Sequence, residues 1–413
     1  MTRRVVVTGM GGVCPLGATW KDVAPGLRGG LSGVEFVPEL AGYEGMRTRL
    51  GARVHGLETA VEGYPRKGVR SMGRVSLLAT RATELAIEAA GLRGDPVLSG
   101  GATGVAYGST AGSPPAMEVY SQTVFAKKTV RGIRASDYLR FMSHTVAANL
   151  AQFFEIRGRI VTTCSACTSG SQGIGYGFEA IRDGRQQVMI TGGAEEFHPI
   201  DVAVFDIMFA TSTRNDEPDR TPRPFDVARD GLVVGEGAAT LVLEEFEHAR
   251  RRGAPIVAEV LGWGTNCDGK HLTNPDVEGM ARVMELALAD AGLEPQEVDY
   301  VNAHGTATEA GDIAESIATN RVLGPAVPIS SLKGHLGHTL GACGAIEAWL
   351  AIEMAHAGWI APTRGLEDVD PRCAPLDHVR GDPRAIEIGV LMSNNFAFGG
   401  VNTSLVMRPW RDR

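Results

Sequence analysis

Residues 161 to 177, VTTCSACTSGSQGIGYG, hold the first group able to act as a nucleophile. A β-branched strand runs into a small-residue turn at Cys167 and then into a glycine-rich helix. A thiol on the first turn of a buried helix faces unpaired backbone N–H groups and the positive end of the helix dipole, which favour thiolate over thiol. Three further polar sites sit in turns flanked by apolar segments: His304 after the strand DYVNA, His338 in SSLKGHLGHTLGACG, and the loop NNFAFGG at 394–400. A lone histidine at a strand end is more often structural. Three such sites beside a helix-capping cysteine point to chemistry.

Two other chemistries use the same residues. Cys164-x-x-Cys167 and His335-x-x-His338 could supply four zinc ligands. Against zinc, the His spacing is short, the pairs lie far apart in sequence, and the flanks are apolar strands and helices rather than small knuckles. A redox Cys-x-x-Cys is disfavoured because its surroundings do not form a small thioredoxin-sized unit.

These residues need elements to hold them. RVVVT at 4–8 reads as a strand closed by GMGG, and the dinucleotide fingerprint that this opening suggests fails at its third position, Cys14. A helix follows around Trp20 to Arg28, another spans 71–92, and a strand covers 104–107. The same unit recurs two hundred residues later. ELAIEAAGL at 84–92 is matched by ELALADAGL at 285–293, and AYGSTAG by NAHGTATEAG. The segment around Cys167 has a looser partner in VPISSLKGHLGHTLGACGAIEAW, and LVVGEGAATLVLEE in FAFGGVNTSLVMRP. This duplication predicts two α/β halves around a pseudo-two-fold axis, meeting near residues 247–256, with active residues at strand ends between them. Gly170, Gly173, Gly175 and Gly177 each cost about 0.5–1 kcal/mol in a helix relative to Ala. The helix after Cys167 therefore requires close tertiary packing.

Composition narrows the class. The 413 residues are 44% hydrophobic and 21% charged, enough for a large core and two or three domain-sized units. Six cysteines are too sparse for a disulfide framework, which favours a reducing, cytoplasmic setting. The longest apolar tract, 340–361, contains Glu347, Glu353 and His356, so it reads as a core helix rather than a membrane span. A net charge of −8 argues against general nucleic-acid affinity. Local basic clusters at Arg66, Lys67 and Arg70, and at Lys127, Lys128, Arg131 and Arg134, are either solvated faces or a dock for an acidic partner.

SACTSG around Cys167, RPFDVARDGLVVGEGA at 223–238, NAHGTATEAGD at 302–312, KGHLGHTLGACGA at 333–345 and NNFAFGGVN at 394–402 together resemble the β-ketoacyl-ACP synthases of the elongating type. The resemblance runs along essentially the whole chain in the same order. It implies the thiolase fold, an α/β five-layered αβαβα sandwich of two duplicated halves: residues 1–250 carrying the nucleophile and 251–413 carrying both histidines. It implies that Cys167, not Cys164, accepts the acyl group, that His304 and His338 are catalytic, and that Lys333 and Glu315 order their network. Thr306 and Thr308 would contact the carrier's pantetheine arm, Phe398 would gate the site, and the backbone N–H groups of Cys167 and Phe398 would hold the oxyanion. Ala111 and Phe205 would shape the acyl pocket.

The implied reaction is a decarboxylative Claisen condensation of the Cys-bound acyl chain with malonyl-ACP, without metal or organic cofactor, in fatty-acid, polyketide or aryl polyene type elongation. The implied partners are acyl carrier protein, docked at Lys67, Arg70, Arg131 and Arg134, and a second subunit, identical or of the chain-length-factor type. The competing reading is a non-catalytic partner subunit of that type. Four positions depart from the family's pattern: Ala397 for Gly, Asn395 for Ser, Glu309 for Pro and His335 for Met. Ala397 is expected to stiffen the gate by removing a residue free to take φ > 0, and His335 to be structural.

Overall fold

The computed structural model describes residues 2–411. Its main sheet contains, in chain order, β1 (Val5–Val13), β2 (Thr103–Gly108), β3 (Ile160–Thr163), β4 (Val188–Glu195), β5 (Gly237–Glu245), β6 (Ala258–Cys267), β7 (Tyr300–Asn302), β8 (Pro328–Ser330), β9 (Asp377–His378), β10 (Leu391–Ala397) and β11 (Val401–Pro409). The helices that matter for the site are α1 (Arg74–Ala89), α2 (Thr145–Phe153), α3 (Ser169–Arg182), α4 (Pro199–Asp206), α5 (Val277–Ala291), α6 (Glu309–Leu323) and α7 (Cys343–Ala357).

One pairing pattern occurs twice. β1 is antiparallel to β5 and β5 to β4, after which β4, β2 and β3 run parallel. In the second half β6 is antiparallel to β11 and β11 to β10, and β10, β7 and β8 run parallel. β9 extends that edge. The halves join where β1 meets β6, with Val5 opposite Val260 and Val7 opposite Ala258. The duplicated motifs of the sequence therefore fall on equivalent elements: α1 with α5, β2 with β7, β3 and α3 with β8 and α7, β5 with β11.

Helices fill the layers around this sheet. α1 and α2 cover the outer face of the first half, α5 with α6 beside it covers the second, and α3 and α7 lie between the halves. This is the five-layered helix–sheet–helix–sheet–helix sandwich. α7 is apolar on every side, and twelve of its fifteen residues are buried, as a helix enclosed on all faces must be. Among the described residues no helix is long and apolar enough to cross a membrane.

Glycines set the spacing of the central layer. A Cβ at Gly170 would stand 2.9 Å from the Ala345 nitrogen of α7, and one at Gly175 would stand 2.1 Å from the Trp263 ring of β6. The same effect corrects the reading of the first strand, which does not stop at Thr8 but runs on through GMGG to Val13. Gly9 and Gly11 lie against the backbone of α1, and Gly12 lies against the Trp349 ring of α7. These glycines are contacts between layers, not a turn.

Candidate active site

β3 ends at Thr163, and a single 3-10 turn, Ala166–Thr168, leads into α3. Ala166 takes φ +50, turning the chain sharply so that the Cys167 side chain reaches inward. Side-chain oxygens fasten the turn: Thr168 donates to the Ser165 carbonyl at 2.8 Å, Ser169 to that of Ala166 at 2.8 Å, and Thr163 to that of Ser169 at 2.8 Å. In the duplicated half Leu340 has the equivalent left-handed conformation, φ +46. Cys164 lies just past the strand rather than in it, is exposed, and donates its S–H to the Thr110 carbonyl.

The two histidines arrive from the second half. His304 follows β7, and Glu315 of α6 fixes its loop by accepting the N–H groups of His304 and Gly305, each at 2.7 Å. His338 is held from across the molecule. Its N–H donates to the Val233 carbonyl at 2.7 Å, and its carbonyl accepts the Gly235 N–H at 2.8 Å. The segment 223–238, which carried part of the resemblance, thus clamps a catalytic loop. His338 Nε2 stands 3.1 Å from Cys167 Sγ. The His304 ring lies edge-on to that of His338, centroids 5.2 Å apart.

Burial controls the protonation states. It pushes the Cys167 thiol up to about 12, against opposing pulls from Lys333 and the residue's own N–H. The helix-end effect expected from sequence is outweighed, and the resting group is a thiol. Burial, reinforced by the Lys333 ammonium, holds His304 and His338 well below the ordinary imidazole value, so both rings are neutral at pH 7. The cause at His338 is desolvation rather than a helix terminus, since α7 begins five residues later.

Lys333 is paired across the layer. Its Nζ pairs with Glu347 Oε1 of α7 at 2.5 Å, and Asn395 donates to the other Glu347 oxygen at 2.7 Å. Burial alone would lower Lys333, but Glu347 holds the ammonium above its ordinary value. From the same helix, the Cys343 thiol donates to the Cys167 carbonyl at 3.2 Å. Lys333, Glu347, Asn395 and Cys343 thus form a buried layer behind the nucleophile. Sequence reasoning missed Glu347 as part of it, although a carboxylate inside the apolar tract 340–361 was the available signal.

In front of Cys167 lies a cavity of about 470 Å³. Cys167, His304, His338, Thr306, Thr308 and Phe398 all line it, as do Phe205 and Glu315. Thr306 and Thr308 share a hydrogen bond between their hydroxyls at 2.8 Å. Phe398 packs against Phe205 with the rings tilted, centroids 5.4 Å apart. Ala111 is not among the lining residues. Nor are Lys67, Arg70, Arg131 and Arg134, which are exposed elsewhere. Arg140, six residues beyond the second cluster, donates to the Arg70 carbonyl at 3.1 Å. Ala397 ends β10, and the positive φ angles of the gate belong to Gly399 and Gly400, so position 397 does not call for glycine in this conformation.

The zinc alternative is not assembled. Cys164 faces Thr110, and the His335 ring nitrogens face the carbonyls of Leu31 and Pro362, away from the cavity. Cys167, His304 and His338 do converge, with donor atoms within 4.8 Å of one another. They are the residues that could hold an ion here, and the nearby Lys333 ammonium opposes a cation.

Comparison with known proteins agrees with this geometry. The family model "Beta-ketoacyl synthase, N-terminal domain" matches residues 2–249, and "Beta-ketoacyl synthase, C-terminal domain" matches 257–367. The chain is 36% identical to 3-oxoacyl-[acyl-carrier-protein] synthase 1 of Escherichia coli K12, over 99% of this chain and 100% of the relative. The crystal structure of a β-ketoacyl synthase from Burkholderia phymatum superposes with a TM-score of 0.97 at 54% identity, covering 99% and 100% of the two chains. A type II PKS ketosynthase, solved in complex with its acyl-carrier protein, gives a TM-score of 0.90 at 30% identity over 100% of both chains. With its duplicated fold and its Cys-His-His cluster, the chain belongs to the β-ketoacyl synthase family and is a condensing acyltransferase of that type.

Proposed function

We propose that the protein joins an acyl group carried on Cys167 to malonyl-ACP, giving 3-oxoacyl-ACP and CO₂. The observation that carries this reading is the 3.1 Å approach of His338 Nε2 to Cys167 Sγ, with neutral His304 beside it at the end of one cavity.

In the first half-reaction the Cys167 sulfur attacks the acyl thioester. Its proton is taken up by the departing pantetheine sulfur, while the N–H of His338 Nε2 stabilises the thiolate as it forms. The backbone N–H groups of Cys167 and Phe398 hold the oxyanion, each such donor being worth about 2.7–4 kcal/mol in a transition state. In the second half-reaction the malonyl carboxylate leaves as CO₂ and its electron pair passes into the thioester enolate. The Nε2–H of His338 and an N–H of His304, both rings neutral, stabilise that enolate oxygen. The enolate carbon attacks the acyl-Cys167 carbonyl, and collapse expels the Cys167 sulfur, which takes up a proton from solvent to restore the thiol. Thr306 and Thr308 line the path of the pantetheine arm. Lys333 acts through its field and its pair with Glu347, and Glu315 acts as a positioning residue for the His304 loop.

The test is acylation itself. Incubation with acyl-ACP is expected to add one acyl mass to the peptide containing Cys167, and Cys167→Ala to abolish the adduct. No adduct with carrier-bound acyl groups of several lengths would instead support the non-catalytic subunit.

A further inference from the structure

An acyl tail on Cys167 cannot stay in the route by which it arrived. Malonyl-ACP must bring its arm past Thr306 and Thr308 while the first acyl group is still attached to the sulfur, so the tail turns away from that entrance. Behind the sulfur, Lys333 and Glu347 close the layer by pairing with each other. The remaining side lies past Phe205, whose ring centroid is 6.5 Å from that of His338, toward the end of β4 and the first turn of α4. That side is acidic. Glu195 ends β4, and its Oε2 accepts the N–H of Thr110 at 2.9 Å and that of Gly341, three residues past His338, at 3.0 Å. The Thr110 carbonyl in turn accepts the Cys164 S–H, so Glu195 adjoins the nucleophile's own turn. Asp201 stands four residues before Phe205 on α4, on the same face one turn away.

This pair of carboxyls differs from other buried acids of the chain. Glu236 is paired with Arg74, Glu244 with Arg252, Asp312 and Asp370 with Arg229, and Glu347 with Lys333. Glu195 and Asp201 form no ion pair among the described residues. Glu195 is fully buried and Asp201 is 8% exposed, yet Glu195 Oε1 and Asp201 Oδ2 have no hydrogen-bond partner there. The hydroxyls of Thr110 and of Ser165, next to Cys164, are likewise buried and unpartnered. The two carboxyls are near enough that the Asp201 charge opposes ionisation of Glu195, and burial holds both up, to about 8 and about 7. At neutral pH such groups offer acceptor oxygens and, when protonated, an O–H. A hydrocarbon tail laid against them would satisfy none of these atoms, whereas a tail with an O–H or N–H would.

This inference rests on the acyl transfer to Cys167 given above and names its substrate class. We propose that Asp201 and Glu195 recognise the tail of the acyl group, and that the chains taken up carry a hydrogen-bond donor, a hydroxyl or an amine, rather than being plain hydrocarbon. Sites built to hydrogen-bond a substrate group discriminate steeply against the analogue that lacks it, because their buried polar atoms are then left unpaired. Asp201 is the specificity-determining member, since Glu195 already holds the Thr110 and Gly341 backbone through its other oxygen.

The experiment compares acyl-ACPs carrying ω-hydroxy, ω-amino or unsubstituted chains of six, eight and ten carbons by the rate at which each acylates Cys167, followed by mass. For the parent protein, kcat/KM is expected to be at least tenfold higher for the hydroxy or the amino chain than for the unsubstituted chain at one of these lengths. Asp201→Leu is expected to reverse that order. Equal or faster acylation by the unsubstituted chains at all three lengths would mean that water alone serves these polar atoms, and overturns the proposal. A preference that Asp201→Leu leaves unchanged overturns it as well. The comparison within the parent protein needs no variant and holds whether or not Asp201→Leu folds. No adduct from any of the chains would overturn the underlying acyl transfer and this proposal with it, whereas adducts formed without preference overturn the selectivity alone.

Discussion

At the scale of single residues, the site depends on charges kept out of water. Lys333 and Glu347 are both almost fully buried and satisfy each other, with Asn395 on the remaining carboxylate oxygen. Removing one member of such a pair leaves an uncompensated buried charge, which is destabilising by about 3–5 kcal/mol. Glu347→Ala is therefore expected to lower the urea unfolding free energy by that amount, and Lys333→Met combined with Glu347→Leu to recover most of it. A loss below about 1 kcal/mol in the single variant would mean that the pair is not buried as described. Cys167, His304 and His338 were legible in the sequence because turn chemistry and apolar flanks isolate them. Glu347 was not, because helical periodicity gives no sign that a carboxylate within an apolar helix faces a lysine ten residues before its N-terminal start. The raised thiol of Cys167 was not legible either: a helix-end argument sees the dipole and not the depth of burial.

Among the elements, α3 shows packing overriding local propensity. Ala is favoured over Gly in a helix interior by about 0.5–1 kcal/mol. A Cβ at position 175 would nevertheless stand 2.1 Å from the ring of Trp263, a buried residue of β6. Overpacking of this kind typically costs about 1–3 kcal/mol, so Gly175→Ala is expected to lower the melting temperature despite the gain in helix propensity. A rise in melting temperature would contradict the packing described for the central layer. The duplication was readable because the C-terminal ends of α1 and α5 keep nearly the same sequence. The full length of β1 was not, because GMGG has the composition of a turn, and only the neighbouring α1 and Trp349 reveal why an extended strand needs glycine there. Likewise the exposed turn after α4 gave no periodic signal, since its order comes from Asp206 reaching the distant Arg47–Thr48 backbone.

For the whole molecule, buried titratable groups shape the dependence of stability on pH. Burial pushes Glu195 and Glu315 up to about 8, and Glu196 and Asp201 up to about 7. The folded chain then holds more of these protons than the unfolded one from about pH 4.5 to 8, so the contribution of these carboxyls falls as pH rises through that window. Burial lowers His335 and His378 to about 4, and lowers His304 and His338 as well. These histidines make the unfolded chain the better proton binder below about pH 6.5, so their contribution is present above that value and lost as pH falls. Between pH 5 and 6.5 the two sets oppose each other, and above 6.5 the carboxyls dominate, so urea midpoints are expected to fall from pH 6.5 to pH 8. A steady rise from 5 to 8 would show that the buried acids remain ionised. The central claim is that the two halves bring one thiol and two neutral imidazoles together for condensation, and its most direct measurement follows carbon from labelled malonyl-ACP. In the presence of acyl-ACP the purified protein is expected to release one CO₂ for each 3-oxoacyl-ACP formed, with Cys167→Ala forming no product and His304→Ala and His338→Ala each slowed at least a hundredfold. Product formation by Cys167→Ala at the parent rate would contradict the account.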